Sequence, residues 1–202
     1  MTFGFRAILV ASIALLVAAC EPPVQKATLA SGAEKVSGFE VVYLSRLPTP
    51  VNWHSTSGPL SPLDMDKMMS EASGAFETQI KSGFRPLLEK DDLYRRVSVV
   101  PAREPFSSQP LSSQILQLSF TEPSALVVVP LASSIYCGGF LARACRVDMT
   151  LQAALVDTRQ KRVQWTQRQV VIATPAYGGR GDVLGDYWAV VGKLLRDDRL
   201  ID

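Results

Sequence analysis

Apolar and polar positions alternate over two neighbouring stretches in the C-terminal half of the chain. Val147, Met149, Leu151, Ala153 and Leu155 share one side of a strand over 146–156, with Asp148, Thr150 and Gln152 on the other. A second run over 162–173 alternates again, with Val163 and Trp165 assigned to one face. The polar residues 157–161 between them predict the turn of an antiparallel hairpin. Each of its strands is expected to be half exposed.

Other patterns fill in the fold. Residues 39–45 (FEVVYLS) form a β-rich run that predicts a first strand. Residues 125–131 (ALVVVPL) are continuously apolar, as in a central strand buried on both faces. Residues 96–100 predict a short strand, while 111–118 fits a helix or a strand equally well. Met65, Met68, Ala72, Phe76, Ile80 and Phe84 recur at helical spacing, and Pro86 kinks or ends that helix. Leu184, Tyr187, Trp188, Val191, Leu194 and Leu195 form the stripe of a last helix that Asp182 can cap. The stretch 46–62 holds Pro48, Pro50, Gly58, Pro59 and Pro62 and is expected to be a long loop carrying Trp53 and His54. The sum is a single α/β domain over 39–202, with a mixed or mostly antiparallel sheet, a long β-hairpin and helices packed on it.

The N-terminal end has a different character. Arg6 precedes an apolar run from Ala7 to Val17, and Val17-Ala18-Ala19 leads into Cys20. The run is too short to span a bilayer, which takes roughly 20 apolar residues, and the order of charge, apolar core and small residues is that of a signal peptide. With a cysteine at its end, the segment resembles the signal peptide and lipobox of bacterial lipoproteins. The resemblance implies that 1–19 is removed, that Cys20 is lipidated on its thiol and its new amine, and that the domain is held at the membrane. More than one acyl chain is needed for stable attachment. Glu21, rather than Asp, after the cysteine leans toward the outer membrane, facing the periplasm. Residues 20–38, low in large apolar side chains, are expected to be a flexible tether spanning on the order of 20–25 Å.

Composition removes several classes. The 202 residues hold 21 Lys and Arg against 19 Asp and Glu, and Arg6 leaves with the leader. No basic block suggests nucleic acid. Beyond Cys20, the cysteines are Cys137 and Cys145. In an oxidising envelope they read as a disulfide, and their spacing fits no familiar zinc site. Neither a metal nor a cofactor is implied.

Catalytic patterns are weak. His54 is the sole histidine, and no serine sits in a Gly-x-Ser-x-Gly elbow. Gly178-Gly179-Arg180-Gly181-Asp182 lacks the ending of a phosphate loop and reads as a turn into the last helix. No catalytic residue is assigned, and the protein is expected not to be an enzyme.

The hairpin carries a second resemblance. Leu151-Gln152-Ala153-Ala154-Leu155-Val156-Asp157-Thr158, the turn, and Val163-Gln164-Trp165 are similar to a stretch of small envelope lipoproteins folded like the N-terminal domain of TolB. That group includes penicillin-binding-protein activators and curli-secretion lipoproteins. The resemblance spans 124–171 and implies a domain that binds or assembles protein partners. Trp53 and His54 are the candidate partner-binding residues. The expected function is therefore a membrane-anchored, non-enzymatic binding or scaffolding module whose partner is another envelope protein. The alternatives are an auxiliary lipoprotein of lipid transport with Met65, Met68 and Met69 lining an apolar groove, and a hydrolase using His54 and a loop serine.

Overall fold

The hairpin forms as the alternation predicts, and the rest of the sheet is built on it. The computed structural model describes residues 27–45, 51–55, 65–67, 70, 74, 78, 93–101, 111–138, 144–174 and 183–202. Its strands are β1 (Thr28–Leu29), β2 (Phe39–Ser45), β3 (Val51–Ser55), β4 (Tyr94–Pro101), β5 (Ser124–Gly138), β6 (Ala144–Asp157) and β7 (Arg162–Thr174). Two helices are bounded, α1 (Leu111–Ile115) and α2 (Val183–Asp197). The strands form one mixed sheet in the order β1-β7-β6-β5-β2-β4, and β3 also pairs with β5. β5, β6, β7 and β1 are joined antiparallel, while β2 runs parallel to both β5 and β4.

The sheet is covered on both faces. Phe39, Val41 and Tyr43 of β2 pack with Leu126, Val128, Met149, Leu151, Ala153 and Leu155, against Tyr187, Trp188, Val191 and Leu195 of α2. On the other face, Val42 and Leu44 join Ala125, Val127, Val129, Ala154, Val156 and Ile115 of α1. β5 is buried on both faces over Ala125–Val129, as its continuous apolar run predicts. Of the hairpin strands, β6 adds Ala154 and Val156 to the second layer, so at that end it is covered on both faces rather than half exposed. The segment 111–118 resolves into α1 followed by a turn.

The ladders carry four register shifts, of which two bear on the side-chain alternation read from the sequence. Pro130 has no N–H to donate, and the register of β5 against β6 shifts between Pro130 and Ala132. Even-numbered residues of β5 face α2 before the bulge and odd-numbered ones, Ile135 and Cys137, after it. A second shift sets Val163 opposite Val156 and Trp165 opposite Leu155. Val163 and Trp165 consequently pack on opposite faces, a correction to the shared face read from spacing. The turn between β6 and β7 is fixed by Asp157, whose Oδ1 accepts the N–H groups of Arg159 and Gln160 at 3.0 and 2.9 Å.

Residues 27–38 are not a free tether. β1 pairs with β7, Thr28 against Thr166 and Leu29 against Trp165. Arg162 donates to the carbonyls of Ser31 and Gly32, and Gly32 adopts φ 69°, a left-handed turn that glycine takes without penalty. Val36 is buried and its N–H bonds Leu200 O at 2.8 Å, with Lys35 paired to Asp202 alongside. The low apolar content hid this because backbone pairing holds the segment. The leader, Cys20 and residues up to 26 lie outside the described residues.

Met65, Asp66, Lys67, Ser70, Gly74 and Thr78 are helical, as the periodicity predicts, and Thr78 Oγ1 bonds back to Gly74 O. Lys67, Ser70, Gly74 and Thr78 are exposed, marking the polar side of that helix. Its predicted apolar stripe beyond Met65, the end at Pro86 and the glycine-rich 178–182 lie outside the described residues.

Candidate functional site

Trp53 and His54 lie on a strand, which corrects the expectation of one continuous loop over 46–62. β3 runs parallel to the distal half of β5, with Trp53 against Ile135 and His54 against Tyr136. β2 occupies the same edge of β5 further back, at Ala125–Val128. β2 and β3 therefore act as one interrupted strand, broken where β5 itself is kinked at Pro130.

The distal half of β5 displays a polar row on the face away from α2. Ile135 and Cys137 belong to the main core, so Tyr136 points to the opposite side. His54 stacks on Tyr136, with ring centroids 4.7 Å apart and planes 10° from parallel. Arg146, opposite Tyr136 on β6, sets its guanidinium carbon 5.0 Å from the tyrosine ring centroid. Arg146 Nη2 then donates to Asp148 Oδ2 at 2.8 Å. Three adjacent strands thus line up imidazole, phenol, guanidinium and carboxylate.

The row is accessible yet anchored. Tyr136 is 39% exposed, unusual for a large aromatic in this sheet, and His54 is exposed as well. Asp148 is 8% exposed. Burial pushes its carboxyl above the usual range, and Arg146 opposes that push. Asp148 Oδ1 and Arg146 Nε are buried and have no hydrogen-bond partner among the described residues.

Cys137 and Cys145 are bonded to each other, the pairing expected from the sequence. Cys137 sits in a strand rather than the predicted loop, directly opposite Cys145 and one rung beyond Tyr136 and Arg146. The disulfide clamps the end of the ladder that holds the row. Sequence reasoning had singled out His54, which lies in this row, but not Tyr136, Arg146 or Asp148. The usable signal was Tyr136 and Arg146 flanking the two cysteines, since a disulfide across paired strands makes its neighbours face each other.

A concavity of about 260 Å³ lies at the other end of the sheet. Glu34, Lys35, Arg95, Glu122, Asp157, Arg159 and Gln164 contribute to its wall. Its lining is charged in both senses and distant in the fold from β3. Among the described residues, no group of three or more His, Cys, Asp and Glu side chains could hold a metal, and no helix is long and apolar enough to cross a membrane.

No protein-family profile and no curated protein sequence matches the chain. Solved structures do show similarity. The PelC dodecamer from Paraburkholderia phytofirmans is 12% identical over 85% of this chain and 96% of its own, with a TM-score of 0.31. Lipoprotein GNA1162 from Neisseria meningitidis is 14% identical over 79% of this chain and 99% of its own, with a TM-score of 0.35. The LpoB C-terminal domain from Escherichia coli is 17% identical over 70% of this chain and 88% of its own, with a TM-score of 0.19. At these scores no role passes from them to this chain.

Proposed function

We propose that the protein is a non-enzymatic binding module of the bacterial envelope, lipidated at Cys20, which presents the distal end of its sheet to another envelope protein. The observation that carries this reading is the His54–Tyr136–Arg146–Asp148 row. Exposed aromatic and arginine side chains held rigidly on strands are the residue types that anchor protein interfaces. Their geometry is preorganised by stacking and by the salt bridge, which lowers the entropy lost on binding.

The same geometry speaks against hydrolysis. A catalytic histidine needs a carboxylate to orient it and a nucleophile within reach. Asp148, the carboxylate of this cluster, is spent on Arg146, and the His54 ring is stacked on Tyr136. The lipid-carrier reading rests on an apolar groove at Met65, Met68 and Met69, and of these only Met65 is among the described residues. Either alternative draws less support from the described residues than the binding surface does.

The test is site-specific photo-crosslinking from position 136 of the full chain in intact cells. A discrete protein adduct, lost when Arg146→Ala is added, is the expected result. Adducts to phospholipid alone, or an adduct insensitive to both Arg146→Ala and His54→Ala, would remove the reading.

A further inference from the structure

β7 is the outer strand of the sheet for most of its length. β1 covers it only at Trp165 and Thr166, with one further bond from Ala30 N–H to Gln164 O. Among the described residues, nothing pairs with the outer edge from Gln167 to Thr174. Because Gln164 and Thr166 turn their backbone groups toward β1, alternation turns those of Arg168, Val170 and Ile172 to the same open side. The sequence QRQVVIA over 167–173 has no proline and no acidic residue, and Arg168 is its single charge. Edges of this kind are normally blocked by charge, proline or a bulge, because they pair readily with another strand; β7 is irregular against β6 at Gln164 and Ala173, which leaves 165–172 a regular edge between them.

We propose that this edge pairs antiparallel with the same edge of a second copy, joining two sheets across a twofold axis at Val170. In that register Arg168 of one copy lies opposite Ile172 of the other. The ladder would contain about six hydrogen bonds, two at each outward-facing pair. Each copy's β1 bounds it at one end, since Thr166 is already taken. An isologous edge contact of this type closes at two copies and leaves no further edge of β7 to recruit a third.

Charge and backbone chemistry favour a second copy over the chain's own N-terminal segment. Extending the β1 register would set Lys26 opposite Arg168, a like-charge pair that destabilises a ladder. It would also set Pro22 opposite Ile172, where an N–H is required and proline has none. In the twofold arrangement the two Arg168 side chains are four residues apart along the strand, about 13 Å, beyond the screening length at physiological salt. A membrane anchor would confine both copies to one surface and raise their effective concentration.

The experiment uses the full chain in its membrane and a short thiol-specific cross-linker. Val170→Cys should give a species of twice the mass, while Arg168→Cys alone should not. Coexpressing Arg168→Cys chains with Ile172→Cys chains should restore the dimer. Equal cross-linking of Arg168→Cys and Val170→Cys, or a Val170→Cys chain that stays monomeric, would overturn the twofold register. An intrachain product between Val170→Cys and Val24→Cys would overturn it in favour of the chain's own segment. None of these readouts involves His54 or Tyr136, so failure here is separable from failure of the binding surface.

Discussion

Cys137 and Cys145 face each other across β5 and β6, with their α-carbons 4.2 Å apart. Their bond closes a short loop at the end where β5 leads into β6. In the chain-entropy view, closing a loop with a sequence separation of 8 contributes about 2.5 kcal/mol. The double variant Cys137→Ala, Cys145→Ala should therefore lower the urea midpoint with little change in slope. Reductant should destabilise the native protein similarly and leave the double variant unaffected. Adduct formation from position 136 should fall as well, because the rung that aligns Tyr136 and Arg146 loses its clamp.

Glu40 is a carboxylate only 3% exposed, a rare placement for an acid. Its two oxygens accept the N–H and hydroxyl of Thr121 and the N–H of Glu122, which tie the loop before β5 to β2. Glu40→Ala leaves those donors without partners in a largely buried place and should destabilise by roughly 2–3 kcal/mol. Glu40→Gln keeps an acceptor and should cost less. Chemical denaturation of both variants reads the difference.

Trp165 is the largest fully buried side chain, and its indole Nε1 donates to Asp198 Oδ2 at 2.8 Å. Asp198 follows α2, so this bond locks the end of that helix to β7. Asp198→Ala should cost roughly 1–3 kcal/mol by orphaning the indole N–H, and Asp198→Asn should recover much of it. A red-shifted tryptophan emission at lower denaturant is the expected signature. No loss in Asp198→Ala would show the contact to be dispensable.

Much of this arrangement was legible in the chain, and its gaps have physical causes. FEVVYLS became β2 residue for residue, and the α2 stripe buried Tyr187, Trp188, Val191 and Leu195, because both patterns are long and strongly periodic. β3 was obscured because prolines surround a five-residue strand whose partner is far away in sequence. The docking of residues 27–38 was invisible because it relies on backbone bonds and on Arg162, not on an apolar stripe. Reading Asp157 to Lys161 as a turn succeeded, but the bulge at Gln164 could not be counted from alternation. His54 was found as a candidate, whereas its partners Tyr136 and Arg146 came from strands that only the register of β5 brings beside it.

Asp148 gives the site a dependence on pH whose direction follows from its burial. Its pKa is raised in the folded protein above the ordinary 3.8. Between that value and the folded one, the native state binds more protons than the unfolded state, so this group's contribution to stability falls as pH rises through the window and is constant above it. Protonation also removes the charge that holds Arg146 beside Tyr136. Lowering the pH through this window should free the guanidinium and weaken adduct formation from position 136 while the fold persists. Asp148→Asn should show the weakened adduct already at neutral pH and flatten the acid-side change in stability. Stability profiles of the two proteins between pH 3 and 7, compared by urea midpoint, check the first effect, and in-cell cross-linking checks the second. If Asp148→Asn keeps the native pH profile, another carboxylate governs it and the role given to the Arg146–Asp148 pair fails.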